Sequence, residues 1–305
     1  MNWQQLLTSP PPTCAWLLES GQAAVVHRDS KGGLHCAAEA VPDDVFEVGP
    51  VGLQSVNEER LGPVLAALKG AAEGARNGAV IVPTAWLRSH LIETDKAPKK
   101  QSELTEVVRW RLKKLLPIPP SELRLSVVRV PEAGGQQKLL CLAGVERAVA
   151  GIEASFRAVG VEPGLVTTRL FAVTPRADTV KGAILVVQHE AALFSLMLLV
   201  DGAPRLLRTK LLPLVEKDED TGLREVRLAL GFIRDDLGVD GEIEVALTVE
   251  KPESETALRR WLAEQDGLVP SAVPSVPPCA PSTVADRLGA ARLAPAVSVV
   301  TEGIW

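Results

Sequence analysis

The hydrophobic periodicity of this chain repeats one order of elements twice, once near each end of the 305 residues. Apolar alternation interrupted by tight-turn residues predicts three strands within residues 14–40, and an amphipathic helix (58–75) and a short strand (79–83) follow. The same order of three strands, helix, strand and helix returns after residue 183. A repeated supersecondary unit predicts two similar α/β lobes.

An inserted α/β unit is predicted between the two lobes, at residues 84–160. We expect Ser102 to cap a helix that ends before Pro117, two strands to follow it, and a second helix at 146–159 to end at Gly160 in the left-handed conformation. The pattern gives this unit a core of its own, with both helices in it.

The chain is predicted to have five parts. The first lobe begins with residues 1–83, is interrupted by the unit at 84–160, and resumes at 161–182. Residues 183–281 form the second lobe, and its last 13 residues, 269–281, hold five prolines that predict a loop. Residues 282–305 are predicted to close the first lobe with a helix at 282–294 and a strand at 297–300.

The charge balance excludes a general nucleic-acid binder. The chain has 33 basic and 38 acidic residues, a net charge of −5, and no basic run long enough for a polyphosphate. The basic stretches at 96–100 and 109–114 are diluted by Glu103 and Glu106, so we interpret them as solvated surface.

Metal and membrane sites are not predicted. The four cysteines stand singly without a CxxC pair, and His35 and Cys36 are neighbours on one strand, so their side chains point to opposite faces. Residues 1–12 lack the basic start of a signal peptide, and the most apolar stretch, 183–200, contains Gln188, His189 and Glu190. We expect a cytoplasmic chain.

Further acidic and basic residues were weighed as catalytic groups. His189 beside Glu190 could form a base with its orienting carboxylate, but no nucleophile motif such as GxSxG accompanies the pair. The acidic residues 216–220 and the pair Asp235 and Asp236 lack ligand spacing, and we interpret them as solvated surface. The sequence therefore predicts no catalytic residue.

Two motifs carry a resemblance to a known family. Residues 107–130 place a helix before Pro-Ile-Pro-Pro, an acidic residue and a strand, and residues 158–163 read Ala-Val-Gly-Val-Glu-Pro. Both resemble the PilM family of type IV pilus assembly proteins. The resemblance implies an actin-like (ribonuclease H-like) two-lobe α/β fold with an inserted α/β subdomain.

In that family three segments hold a nucleotide, and each departs from the required residues here. The first phosphate hairpin keeps Glu19 for Asp and Gly21 for Gly. The second has Gln188 for Asp and Glu190 for Gly, and the adenosine loop has Val249 and Glu250 where two glycines are usual. A lone carboxylate beside a triphosphate repels it. We therefore expect no cofactor and no ATPase activity; the alternative is an ATPase that binds ATP with magnesium at a divergent site.

The resemblance also implies a partner. PilM proteins hold the N-terminal cytoplasmic segment of a PilN-type inner-membrane protein in a groove between the first lobe and its inserted subdomain. The candidate contact residues here are Trp86, Leu87, Val107, Trp110, Leu115 and Phe171. The implied function is an adaptor on the inner face of the cytoplasmic membrane, with the cytoplasmic pilus motor as a further partner. A GspL-like type II secretion component is the other alternative.

Overall fold

The computed structural model describes residues 11–72, 75–94, 97–130, 137–190, 193–212, 220–271 and 289–303. The strands are β1 (Cys14–Glu19), β2 (Gln22–Arg28), β3 (Leu34–Ala40), β4 (Phe46–Gly49), β5 (Gly52–Val56), β6 (Asn77–Val82), β7 (Arg88–Thr94), β8 (Leu123–Arg129), β9 (Gln137–Val145), β10 (Glu162–Thr168), β11 (Ala183–Glu190), β12 (Leu193–Val200), β13 (Ala203–Leu211), β14 (Ile243–Val249) and β15 (Leu268–Pro270). The helices are α1 (Glu58–Ala71), α2 (Gln101–Leu112), α3 (Glu146–Ala158), α4 (Arg169–Val173), α5 (Asp220–Asp235), α6 (Pro252–Ala263) and α7 (Ala290–Glu302).

The first and second lobes are built on five-stranded sheets of matching topology. The first sheet has the order β10-β6-β1-β2-β3, and the second has β15-β14-β11-β12-β13. In each sheet three consecutive strands pair antiparallel. A later strand then pairs in parallel with the first of them, and a second later strand pairs in parallel with that one. The two-lobe α/β fold predicted from the repeated pattern is therefore confirmed.

The first sheet is covered on both faces, which explains why β1 is apolar at successive positions rather than alternating. Trp16 and Leu18 point into a core completed by α1 and α3. Ala15 and Leu17 point to the opposite face, into a core completed by α7. The second sheet is covered in the same way, by α5 and α6 on one face and α4 on the other.

The third sheet, β7-β9-β8, forms the centre of the inserted unit. Leu104, Val108 and Leu112 of α2 pack on it in a separate core. The helix starts at Gln101 after Lys100 as the N-cap, so Ser102 is not its cap. Gly160 adopts the predicted left-handed conformation after α3, with a φ of +73°.

Helix α3 does not belong to the core of the inserted unit, which corrects the sequence prediction. Its residues Val149, Ile152 and Phe156 pack in the first-lobe core, where Phe156 meets Trp16 edge-on at 5.2 Å between ring centroids. Helical spacing gives the buried stripe of a helix but does not say which sheet covers it. The boundaries of the five predicted parts stay predictions.

The predicted strand at residues 297–300 is wrong, because these residues lie in helix α7. Val297, Val299 and Val300 are buried against the first sheet. A short run of valines does not distinguish a buried strand from a buried helix, and here packing overrides the β preference of valine. Residues 282–288 of the predicted helix, the acidic residues 216–219 and most of the proline-rich segment lie outside the described residues.

Candidate functional site

The candidate site lies in the cleft between the two lobes, and the one-turn helix α4 positions it. Leu170, Phe171 and Val173 pack into the second-lobe core, whereas Ala172 packs with α7 against the first sheet. These contacts fix the turn on both lobes at once. Its first residue, Arg169, is therefore held in the cleft, with its side chain 5% exposed.

Three glutamates surround the Arg169 guanidinium. Arg169 Nη2 donates to Glu19 at the end of β1, and Nη1 donates to Glu250 just after β14. The same Nη1 lies 3.7 Å from Glu190 Oε2 at the end of β11. One cation from the short helix thus joins the carboxyl ends of three strands, two of them in the second lobe.

A second group of contacts joins the lobes beside Arg169. The Glu190 carboxylate accepts from the backbone N–H of Thr84, at 3.0 Å for Oε1 and 3.2 Å for Oε2. The Thr84 hydroxyl donates to Gln188 Oε1 at 2.9 Å and accepts from Leu170 N at 3.2 Å. Thr84 follows β6 of the first lobe, so these bonds cross the cleft in a fully buried environment.

Arg292 of α7 adds a weaker second cation at the edge of the cleft. Its Nη1 lies 3.6 Å from Glu19 Oε1, and its Nε lies 3.8 Å from Glu250 Oε1. Glu19 also accepts from the Gln22 side chain across the β1–β2 turn. With all groups ionised, two guanidiniums face three carboxylates.

Burial and charge shift the acid–base equilibria of the central groups in the direction expected for a dry ion cluster. Burial by itself lowers the pKa of Arg169, but the carboxylates of Glu190, Glu19 and Glu250 outweigh it, so the pKa is raised and the guanidinium stays charged. Burial raises the pKa of Glu190, against the opposing effects of Arg169 and the bonds from Thr84.

The structure brings together the residues singled out in the three divergent nucleotide segments. Glu19, Glu190 and Glu250 all contact or approach Arg169, and Gln188 is bonded to Thr84. Gly21 lies in the β1–β2 turn with a φ of +85° and open space around it. Val249 is buried in the second-lobe core.

The six candidate partner residues do not share one exposed surface. Trp86, Leu87 and Phe171 are buried, and Val107 is half-buried. Trp110 and Leu115 are 57% and 58% exposed. A partner could reach the last two without any rearrangement, whereas the first three would first have to be uncovered.

The described side chains include no cluster of His, Cys, Asp and Glu suited to a metal ion. His35 is exposed and Cys36 is buried on β3, in keeping with the alternation of strand side chains. Burial raises the pKa of the Cys14 thiol, against a side-chain hydrogen bond with Trp16, and also that of the Cys141 thiol, each to about 12. These two thiols therefore stay protonated. None of the helices in the described ranges is long and apolar enough to cross a membrane.

Sequence reasoning missed Arg169, Thr84 and Arg292. The available signal for Arg169 was a lone cation in the otherwise uncharged run from the end of β10 through α4, Val-Thr-Thr-Arg-Leu-Phe-Ala-Val. A charge in such a run needs a partner. Its partners are 150 and 81 residues away in the chain, so no local pattern identifies them.

Comparison with known proteins gives matches at the level of structure alone. No family model and no curated protein matches the chain. The solved PilM-PilN type IV pilus biogenesis complex matches 97% of this chain and 100% of the other, with a TM-score of 0.67 and 17% identity.

A Bacteroides thetaiotaomicron protein of actin-like ATPase fold and unknown function matches 89% of this chain and 93% of the other, with a TM-score of 0.52 and 7% identity. A third match is the cytoplasmic domain of EpsL, an inner-membrane component of the Vibrio cholerae type II secretion system. It covers 78% of this chain and 83% of the EpsL domain, with a TM-score of 0.46 and 10% identity. The matches with TM-scores above 0.5 show that the chain has an actin-like α/β fold.

Proposed function

We propose that this chain is a non-catalytic, PilM-like adaptor of a type IV pilus or a related secretion machine. The observation that carries the proposal is the Arg169 guanidinium among Glu19, Glu190 and Glu250. By the family resemblance, these glutamates occupy positions that face the nucleotide in an actin-fold ATPase. The fold likeness to PilM over the whole of both chains supports the rest.

The residues of the cleft do not fit a magnesium-bound triphosphate. Phosphates need backbone amides that approach closely and cations that offset their charge. By the family resemblance, Glu190 puts a side chain and a negative charge where a phosphate would sit, and Arg169 is already bound to carboxylates. A nucleotide would have to disrupt a buried ion cluster whose disruption costs about 3–5 kcal/mol.

Arg169 serves a structural purpose in this proposal. In an ATPase of this fold the ligand between the lobes links the two halves; here a side chain of the protein makes that link permanently. The hydrogen bonds of Thr84 with Gln188 and Glu190 also hold the two lobes together. A cleft held in one conformation suits a scaffold, since a preorganised surface loses less entropy when a partner binds.

The proposed partner is the N-terminal cytoplasmic segment of a PilN-like inner-membrane protein. The support is the fold likeness to PilM, which was solved in complex with PilN. Such a partner would place the chain on the inner face of the cytoplasmic membrane, where it could also contact the cytoplasmic motor. An extended tail gains affinity from backbone hydrogen bonds and from apolar side chains in pockets.

Isothermal titration calorimetry with ATP and magnesium tests the non-catalytic part. We expect no heat of binding up to about 1 mM nucleotide, a concentration that corresponds to a binding free energy of only about −4 kcal/mol. The matched titration uses ATP with EDTA, so that any heat of dilution is removed. Magnesium-dependent binding at micromolar concentration would favour the ATPase alternative instead.

The adaptor part is tested with a synthetic peptide. The adjacent genes are first searched for a PilN-like protein with one membrane span, and the cytoplasmic N-terminal segment of such a protein is the peptide. A scrambled peptide of the same composition is the control. Fluorescence anisotropy should show saturable binding of the peptide with the native sequence and no binding of the scrambled peptide. Equal binding of both peptides, or of neither, would contradict the proposed partner.

A further inference from the structure

A groove separates the inserted unit from the second lobe, at the place where β7 lies beside β13. Its volume is about 520 Å³, within the range of about 300–1,000 Å³ that is usual for ligand clefts. It lies on a different boundary from the predicted site of the PilN-like tail, which is between the first lobe and the inserted unit. We call it the basic groove.

The apolar lining of the basic groove comes from both sides of this boundary. It is formed by Leu91, Leu115, Leu206, Leu207, Phe232 and Leu237. Leu115 is 58% exposed and Phe232 is 43% exposed, and the exposed ring of Trp110 extends the apolar surface. Large apolar side chains that gather at one exposed cleft are typical of an interaction site.

Among the described residues, the charged lining is mostly basic. Arg111, Lys114, Lys138 and Arg205 face one carboxylate, that of Glu93. Lys138 pairs with Glu93 at 3.1 Å, so this carboxylate is already neutralised. Arg111 and Lys114 leave the described lining with a surplus of positive charge, although the whole chain carries −5.

Two of the cations are held on an aromatic platform. Lys114 Nζ lies 4.8 Å from the Trp110 ring centroid, and the Arg111 guanidinium lies 5.5 Å from it. Within the described ranges neither of these cations forms an ion pair. Both charges thus lie at the rim of the basic groove. The Trp110 ring holds them there, and no described carboxylate neutralises them.

The shape of the site decides between classes of anionic partner. A bilayer presents a broad flat surface, which contacts convex or planar basic patches, and its acyl chains do not reach into a cleft between two sheets. An amphipathic peptide can place apolar side chains on the floor and carboxylates at the rim. Charge complementarity therefore favours a peptide with acidic side chains.

We propose that the basic groove binds a short acidic amphipathic segment of a partner protein. The apolar side chains of that segment cover Leu115 and Phe232, and its carboxylates pair with Arg111 and Lys114. Trp110 and Leu115, which the family resemblance gave as candidate contacts of the PilN-like tail, are assigned to this segment instead. The contact is additional to the tail, because it uses the second lobe and needs an acidic occupant. The chain would then hold two partners at once.

The experiment uses fluorescein-labelled peptides about three helical turns long, with Leu and Phe on one helical face. The probe has Glu on the other face; one control peptide has Lys in place of Glu, and a second has Ser in place of the apolar residues. Anisotropy titration of the full chain should give binding of the Glu peptide alone. A flat titration with it, or equal binding of the Lys peptide, overturns the proposal.

Variants locate the binding. Arg111→Glu combined with Lys114→Glu should weaken binding of the Glu peptide at least about tenfold, because each ion pair becomes a repulsion. Leu115→Ser should weaken it through the lost apolar contact. Arg260→Glu is the matched control, since Arg260 is exposed on α6 at the opposite edge of the second sheet. Unchanged affinity in the first two variants overturns the site.

Two further measurements separate other occupants. Unlabelled PilN-like tail peptide should leave the Glu peptide bound; displacement would mean that the two share one site and would overturn the separate contact. Sedimentation of vesicles of phosphatidylglycerol with the chain should give no co-pelleting that depends on Arg111 and Lys114. Co-pelleting that the charge reversal abolishes would assign the groove to a membrane surface instead.

Discussion

The Thr84 hydroxyl donates to Gln188 Oε1 at 2.9 Å. This bond joins the turn that follows strand β6 of the first lobe to the last part of β11 in the second lobe. Both side chains are buried. The bond therefore crosses the cleft in a place that water does not reach, where a missing partner is costly.

Thr84→Val should destabilise the protein by about 1–3 kcal/mol, because Gln188 Oε1 loses its donor and Leu170 N loses its acceptor without access to water. Urea denaturation at neutral pH measures the change. Thr105→Val is the matched control, because the hydroxyl of half-buried Thr105 donates to Gln101 O in a solvent-exposed bond of 3.0 Å. It should stay within about 0.5 kcal/mol. Equal effects of the two substitutions would mean that the cleft bond adds nothing to stability.

Arg169→Met should lower the free energy of unfolding by at least about 3 kcal/mol at neutral pH, since three glutamates then face one another in a buried cleft. Without the guanidinium the pKa of Glu190, already raised by burial, rises further. A carboxyl whose pKa is higher in the folded than in the unfolded state makes the folded state less stable as the pH rises towards that pKa. At low pH, where the carboxyl is protonated in both states, this penalty is absent.

The loss of unfolding free energy in Arg169→Met should accordingly become smaller as the pH is lowered from 7 to 5, as measured by denaturation. Arg260→Met, at an exposed position, is the control and should change stability by less than about 0.5 kcal/mol at either pH. A deficit that stays constant with pH would show that Arg169 acts through packing rather than charge.

His90 should make the protein less stable in mild acid. Burial lowers the pKa of His90, with a smaller contribution from Arg88. Below the ordinary histidine pKa of about 6.5, the unfolded chain binds a proton that the folded chain does not. Stability present above that pH is then lost as the pH falls, by at most about 1.4 kcal/mol per pH unit.

Removal of this group should flatten the pH profile. His90→Gln is expected to reduce the slope of unfolding free energy against pH between about pH 6.5 and pH 5, measured by urea denaturation. His189 has a lowered pKa for the same main reason, burial, so part of the slope should remain. An unaltered slope would show that groups other than His90 cause the pH dependence of stability.

Gly52→Ala should be strongly destabilising, because a Cβ at this position would lie 2.2 Å from the carbonyl oxygen of Trp86. Gly52 has a φ of +106° and holds the β4–β5 hairpin against the turn that carries Thr84. Gly21→Ala is the matched control, since Gly21 has a φ of +85° with open space around it.

The control should cost only the backbone strain, about 1 kcal/mol. Thermal unfolding of the two variants measures the difference. If both lose the same stability, the close approach of Gly52 to Trp86 is relieved by movement of the turn, and this turn does not hold Thr84 rigidly.

Local periodicity explains which elements were predictable. The three-stranded meanders, helix α1 and the left-handed Gly160 follow from alternation, amphipathic spacing and turn chemistry, each of which is contained within about 20 residues. Helix α7 was mispredicted in part because Val297, Val299 and Val300 are equally suited to a buried strand. Only their packing against the first sheet decides that these residues form a helix.

The sequence by itself determined the repeated lobes. Its resemblance to the PilM family predicted that Gln188, Glu190 and Glu250 replace an aspartate and glycines of a nucleotide site. Tertiary structure alone decided what these residues do instead, because the cation that binds the three glutamates comes from a helix 150 residues away from Glu19. It also decided that Arg111 and Lys114 border a groove with the second lobe. Ion pairs and clefts depend on distances in space, which no local pattern of the chain contains.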